Sequence, residues 1–213
     1  MFHVKHRGSA ISQEILDSIQ LVPGILERLD DFADLLLRWN RTVNLIARKD
    51  EAVLWDRHIA DSLQLFSLVG PTQHAADLGS GGGFPGLVLA IATGIHFDLI
   101  ESDQRKSAFL REAARITAAD VTVYNHRIEL AHITPVRLIT ARALAPLPIL
   151  LDLAAPLLAS GGVCLLLKGA QVDAELTASA ARWHMRTERF PSRTSANASI
   201  LRISEIEIVE SPN

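Results

Sequence analysis

The chain has a single cysteine, Cys164, among its 213 residues. That excludes an intrachain disulfide and a multi-cysteine metal site. Cys164 stands in the apolar run Val163-Cys164-Leu165-Leu166-Leu167, so its thiol reads as buried and inert. Aromatics are scarce, with one Tyr and three Trp. Platforms for stacking successive bases are therefore few, which argues against a general RNA-coating protein and suits an enzyme acting at one place. A basic excess is also missing. The net charge is −3, so any polyanion would have to be held by local patches. No apolar run reaches membrane-spanning length. The basic start, Met1 to Arg7, lacks the apolar core and cleavage site of a secretory signal, so the expected location is cytoplasmic. No repeat, low-complexity tract or heptad seam is present, and a monomer is expected. The eight histidines are dispersed; the closest pair, His3 and His6, has no further ligands beside it, so no metal site is expected. No G-x-S-x-G nucleophile elbow occurs.

What is there reads as a globular α/β chain, 48% apolar and 21% charged. Residues 11–69 carry apolar side chains at helical spacing (Ile15, Ile19, Leu26, Leu29, Phe32, Leu36, Trp39). Pro23 is expected to open the second helix, and Asp50 to cap a third that runs from Glu51 to about Val69. From His74 onward apolar strands (74–78, 96–101, 121–125, 136–141, 161–167) alternate with helices (85–93, 104–117, 147–158, 173–184), which implies a parallel sheet covered on both faces. The end breaks the alternation: Arg186–Phe190 and Ser199–Val209 have no helix between them and suit a closing antiparallel hairpin. The expected organisation is a helical extension over residues 1–70 packed on a Rossmann-like core over 71–213. Basic residues gather at Arg38, Arg41, Arg48, Lys49 and Arg57, and again at Arg105, Lys106, Arg111 and Arg115. Arg182, Arg186, Arg189 and Arg193 form a third group, and each group alone reads first as a solvated helix face and second as a local patch for a polyanion.

The most informative stretch is Ala75-Ala76-Asp77-Leu78-Gly79-Ser80-Gly81-Gly82-Gly83-Phe84-Pro85-Gly86. It reads as a buried strand ending in an acid, a glycine-rich turn and the start of a helix. Glycine lets a ligand lie against the backbone, and turn N–H groups with a helix N-terminus form a cradle for an anion. A second strand, His96-Phe97-Asp98-Leu99-Ile100-Glu101, ends in an acid placed to accept ribose hydroxyls. The run Gly81 to Gly86 also satisfies the dinucleotide pattern G-x-G-x-x-G. Asp77 argues against that ligand, because a carboxylate repels a pyrophosphate. S-adenosylmethionine carries a sulfonium, an ammonium and only one carboxylate, and it suits the acid better.

At these residues the chain resembles the ribosomal RNA small subunit methyltransferase G family, also called glucose-inhibited division protein B. The resemblance runs from Trp39 to the C-terminal region. It rests on Trp39-Asn40-Arg41-Thr42-Val43-Asn44-Leu45, on Arg57-His58-Ile59-Ala60-Asp61-Ser62-Leu63 and on the glycine loop with its Pro85-Gly86. Arg127-Ile128-Glu129, Ala141-Arg142-Ala143 and Leu167-Lys168-Gly169 follow in order. It implies a class I methyltransferase fold with a mostly parallel sheet and a C-terminal antiparallel hairpin. It further implies methyl transfer from S-adenosylmethionine to N7 of one guanine in the 530 loop of 16S rRNA, near the decoding centre. The substrate would be free rRNA, the small ribosomal subunit or an assembly intermediate.

That reaction needs no general base, because guanine N7 carries a lone pair and no proton, and the cofactor supplies the leaving group. Asp77, Gly79, Gly81 and Phe84 are expected to hold the methionine part, with core packing as the other reading of Phe84. Glu101 is expected at the ribose. The resemblance places Ile128 and Glu129 at the adenine. Arg142, following an apolar strand, needs a partner. It is either a structural ion pair or a grip on the cofactor carboxylate, a phosphate or guanine O6, and the resemblance marks it as a cofactor-site residue that positions the reactants. His58 and Asp61, a turn apart, read first as a helix-packing pair and second as active-site groups. Lys168 reads as a phosphate contact or as a strand-end lysine in solvent. Two other functions are carried: a nicotinamide-dependent oxidoreductase, and a non-catalytic RNA-binding protein on a relic methyltransferase fold.

Overall fold

Apolar segments that alternate with helices build the sheet, in a computed structural model that describes residues 8–209. The strands are β1 (His74–Leu78), β2 (His96–Ile100), β3 (Val121–Tyr124), β4 (Val136–Arg142), β5 (Leu158–Lys168), β6 (Trp183–Pro191) and β7 (Ser199–Ile208). The helices are α1 (Ala10–Ser18), α2 (Ile25–Asn40), α3 (Asp61–Leu63), α4 (Gly86–Thr93), α5 (Gln104–Thr117), α6 (Leu147–Ala154) and α7 (Val172–Ser179). Among the described residues the strands form one sheet in the order β3-β2-β1-β4-β5-β7-β6. β1 to β5 pair in parallel, and β7 runs antiparallel to both β5 and β6. This is the parallel sheet with a closing hairpin that the alternation predicts. The order reverses between β1 and β4, so the crevice at their carboxyl ends is where an open α/β sheet binds ligands.

Each face of the sheet has its own core. On one face α1, α2, α4 and α5 pack Ile15, Leu29, Phe32, Leu36 and Phe109 against Phe97 and Leu99. On the other, α6 and α7 cover Leu78, Ile139, Cys164 and Leu166 with Leu147, Leu150, Leu151 and Val172. Phe32, Leu29 and Leu36 are fully buried, and burial of each contributes about 1.5–3 kcal/mol. The helical region before residue 70 thus shares its core with β2, α4 and α5.

Three local expectations fail. Pro23 does not open α2; Gly24, at φ +87°, turns the chain and Ile25 begins the helix. The single helix expected from Glu51 to Val69 is broken. It consists of a 3₁₀ stretch (Arg48–Val53), a π-helical stretch (Trp55–Ala60), α3 and a further 3₁₀ turn (Phe66–Leu68). Asp50 lies inside the first stretch and turns its carboxylate towards Arg57 and His58 instead of capping a helix. The widened π turn is tied from outside, because Asp56 Oδ1 accepts the Ser9 N–H and Ser9 hydroxyl (2.8 Å each) and the Ser12 hydroxyl. π turns of this kind cluster at functional sites. The helix expected over 173–184 stops at Ser179, and Trp183 already begins β6.

Candidate active site

The glycine loop hangs from the carboxyl ends of β1 and β2. Gly79 and Ser80 N–H groups donate to the Ile100 carbonyl at 2.9 and 3.1 Å. Gly81 N–H donates to Glu101 Oε2 at 2.8 Å, and Asp103 N–H to Glu101 Oε1 at 2.7 Å. Gly83 and Phe84 N–H groups donate to the Ser80 carbonyl. The N–H groups of Gly79, Ser80, Gly81, Gly83 and Phe84 are thus taken by the chain's own acceptors. What the glycines offer is bare backbone. Gly79 sits at φ +67°, and a Cβ there would lie 2.6 Å from Leu144 Cδ1. Behind the loop, Asn40 Oδ1 accepts the N–H groups of Leu45 and Ile46 (2.9 and 3.0 Å). That bond presses the Leu45 backbone against Gly82, where a Cβ would meet the Leu45 carbonyl at 3.2 Å.

Asp77 is fully buried beneath the loop. Thr140 Oγ1 donates to its Oδ1 at 2.6 Å. Its Oδ2 has no partner of full hydrogen-bond geometry, although the Gly86 N–H at the start of α4 lies close enough to favour the charged form. Burial outweighs these contacts and pushes the carboxyl up to about 6. A Cβ on Gly86 would lie 2.4 Å from Asp77 Cβ, so glycine is the residue that allows the acid to sit there.

Two cavities open at this edge of the sheet. The first, about 400 Å³, is lined by Gly79, Gly81, Glu101, Ile128, Glu129 and Arg142, with Lys106, His126, Arg127, Leu144 and Leu153 among its other walls. The second, about 680 Å³, is lined by Asp50, Arg57, His58, Asp61, Lys168 and Thr194 among others. They share Arg142, Ala143, Leu144 and Ala145 as a common wall. Ala143 in that wall is held at φ +49°, an uncommon conformation for a residue with a Cβ.

Arg142 organises the second cavity. Its Nη1 donates to the Arg57 carbonyl (3.1 Å) and to Asp61 Oδ2 (3.2 Å), and its Nη2 donates to His58 Nδ1 (2.6 Å). Its guanidinium lies 4.9 Å from the centre of the Phe84 ring, and His58 lies 5.0 Å from the same ring. Burial and the nearby Arg142 charge push His58 down to about 4, so it is neutral at pH 7 and its Nδ1 lone pair is free to accept. Asp61 is held by Thr194 Oγ1 (2.5 Å) and Gln64 Nε2 (2.8 Å). Lys168 is buried, paired with Glu175 Oε2 at 2.5 Å and donating to the Ala145 carbonyl at 2.9 Å.

The fold gathers Gly79, Gly81, Glu101, Ile128, Glu129 and Arg142 around one cavity. It sets two expected cofactor residues apart. Asp77 supports the loop from below, and Phe84 packs under Arg142 and against Phe32 (5.5 Å between ring centres); neither lines the cavity. His58 and Asp61 do not pair with each other; both serve Arg142. Lys168 is neither solvated nor free, because its ammonium is already committed to Glu175. Lys106, His126, Arg127 and Leu144 escaped the sequence reading. Lys106 stood in view within a basic cluster and Arg127 within the motif Arg127-Ile128-Glu129, but no local pattern aims a side chain at a cavity.

The chain matches the family described as rRNA small subunit methyltransferase G, GidB, over residues 25–200. It is 56% identical over 183 residues to the ribosomal RNA small subunit methyltransferase G of Gluconobacter oxydans, covering 86% of this chain and 95% of that one. It is 49% identical to the protein of the same name from Granulibacter bethesdensis, covering 98% of this chain and all of the other. Among solved structures it is similar to a putative O-methyltransferase from Klebsiella pneumoniae (TM-score 0.59, 14% identity, 95% of this chain and 99% of that one). It is also similar to the O-methyltransferase from Bacillus cereus in complex with SAH (TM-score 0.58, 14% identity, 92% and 98% covered). At that identity these likenesses establish the fold, a Rossmann-like methyltransferase sheet. Fold, glycine loop and the match over residues 25–200 agree, and the chain belongs to the GidB family of rRNA small subunit methyltransferases.

Proposed function

We propose that this protein transfers a methyl group from S-adenosylmethionine to N7 of one guanine of 16S rRNA. The observation that carries the reading is the pair of cavities meeting at Arg142–Ala145. The first has a size suited to a small-molecule cofactor and holds a carboxylate, Glu101, beside bare glycine backbone. The fit test rests on Gly79, whose left-handed backbone (φ +67°) disfavours any side chain and leaves bare backbone at the cavity wall. Glu101 has lone pairs left for ribose hydroxyls after its two backbone bonds. Ile128 and Glu129 border the end where a base would lie. When bound, the cofactor supplies an activated methyl on a good leaving group.

The chain's part is alignment. Arg142 is clamped by three acceptors from the 55–63 segment, which fixes its guanidinium at the rim where the two cavities meet, placed to orient cofactor and base without standing between them. Neutral His58 accepts from Arg142 and takes no proton from substrate, as suits a nucleophile with none to lose. The second cavity balances Arg57, Arg142 and Lys168 with Asp50, Asp61 and Glu175, a polar lining suited to a base that gains positive charge on methylation. The same reading takes the protein as a cytoplasmic monomer whose partner is the small subunit or an assembly intermediate.

The test is incubation with methyl-labelled S-adenosylmethionine and unmodified small subunits, beside free 16S rRNA, followed by borohydride–aniline cleavage. Label in 16S rRNA with one new cleavage is expected. Label without cleavage would place the methyl on another atom. Heat protection by NAD and none by S-adenosylhomocysteine would overturn the cofactor assignment.

A further inference from the structure

At the opposite edge of the sheet from the two cavities, β1 and β2 start side by side. Their first residues, His74 and His96, are register partners, and Asp98 follows two positions along β2 on the same face. Asp98 is buried, with 3% exposure. Among the described residues its ion-pair partners are those two imidazoles: His74 Nε2 at 2.8 Å from Oδ2, and His96 Nε2 at 3.4 Å from Oδ1. No lysine or arginine is paired with this carboxylate there. His96 has a carboxylate at each ring nitrogen, since its Nδ1 lies 2.8 Å from Asp120 Oδ1. A neutral imidazole carries one N–H. With that hydrogen on Nδ1, donated to Asp120, Nε2 accepts from the Thr122 hydroxyl at 3.2 Å and also faces Asp98 Oδ1 at 3.4 Å, a second acceptor.

We infer that His74, His96 and Asp98 form a site for a divalent transition ion of the zinc class. One ligand atom from each residue lies within 4.8 Å of the others. A tetrahedral zinc with bonds of about 2.0–2.2 Å places its ligands roughly 3.3 Å apart, so modest side-chain rotation closes the shell. Two imidazoles and one carboxylate suit zinc, nickel or cobalt and not calcium or magnesium. Asp120 on His96 Nδ1 is the outer carboxylate that orients a metal-bound imidazole. Partial exposure of both rings gives the ion a way in and leaves room for water as a further ligand. Binding displaces the hydrogen between His74 and Asp98: a neutral His74 ring carries it on Nδ1 instead, by exchange with solvent, and a protonated ring releases one proton to solvent. The ion would tie the start of β1 to β2. The dispersed histidines suggested no metal site because strand pairing, not linear spacing, brings these two together.

The test uses the untagged full chain, stripped with a chelator. Zinc is titrated by calorimetry, and cobalt by visible absorption. One equivalent of saturable binding is expected. His74→Asn and His96→Asn should each weaken it about tenfold or more, and Asp120→Asn about tenfold, with far-ultraviolet circular dichroism confirming the fold of each. His3→Asn with His6→Asn should leave it unchanged. No saturable binding, or binding indifferent to both His74→Asn and His96→Asn, overturns the inference.

Discussion

A single guanidinium decides how the two cavities relate. Arg142 gives its hydrogen bonds to three acceptors, and a lysine has one point charge and no planar fork to replace them. Arg142→Ala and Arg142→Lys are both expected to lower methyl transfer by about a hundredfold or more. The thermal transition and single-turnover rate of each variant, measured together, separate lost alignment from lost fold. Asp77 makes a second prediction at this scale. Its folded carboxyl titrates near 6 against 3.8 when free, so its stabilising contribution is full below pH 3.8 and is lost as pH rises through 6. Asp77→Asn should therefore stabilise the ligand-free protein by about 3 kcal/mol at pH 7.5 and little at pH 4. Denaturant melts at the two pH values check this. His58 runs the other way. With its folded value near 4 against 6.5 when free, stability should fall as pH drops from 6.5 towards 4. His58→Asn, which keeps an acceptor for Arg142, should flatten that fall.

Elements answer a different question: how a loop of glycines holds one shape. It is bonded to the end of β2, pressed from behind by the Leu45 backbone and roofed by Leu144 from the turn after β4. Gly79→Ala meets the last of these and also forces a Cβ into left-handed backbone, worth about 1–2 kcal/mol alone. Cofactor affinity should collapse. Adding Leu144→Ala should recover part of it, because the collision goes while the backbone strain stays; equilibrium dialysis of both proteins measures the difference. The turn after β4 is held in place by α7. Lys168 reaches the Ala145 carbonyl while Glu175 takes the Leu147 N–H at 2.7 Å. Lys168→Met leaves the partly buried Glu175 carboxylate without its cation and should cost about 1–3 kcal/mol, read as a shift in the denaturant midpoint.

For the whole molecule the governing quantity is charge. A net charge of −3 gives no general pull on RNA, so capture of a ribosomal substrate depends on local cations. Arg48 and Lys49 are exposed immediately before Asp50, and Arg57 lines the second cavity. Charge reversal of Arg48 and Lys49 together should reduce small-subunit methylation and its salt dependence while leaving cofactor affinity unchanged. The test is the rate at two salt concentrations beside a cofactor titration. Of the overall form, much was legible in the chain. The parallel sheet, the closing hairpin and the loop lie where period and glycine placement put them, because strand alternation and turn chemistry are local. The broken segment after Asp50 was not legible. Its apolar residues keep helical spacing, and the ties of Asp56 to Ser9 and Ser12 and the bond of Arg142 to the Arg57 carbonyl mark the π turn.

The sequence by itself determined the element order, the inert cysteine, the glycine loop between β1 and α4, and the place of Glu101 at the carboxyl edge of the sheet. These follow from periodicity, backbone freedom and the habit of an open α/β sheet to bind at its switch point. Tertiary structure alone decided direction. It turned Asp77 and Phe84 away from the cavity and made His58 and Asp61 holders of Arg142. It committed Lys168 to Glu175 and set His74 beside His96 across α4. Each outcome depends on which side chains meet after strands and helices pack, and a burial cost or a partner's charge at that distance leaves no mark in linear spacing.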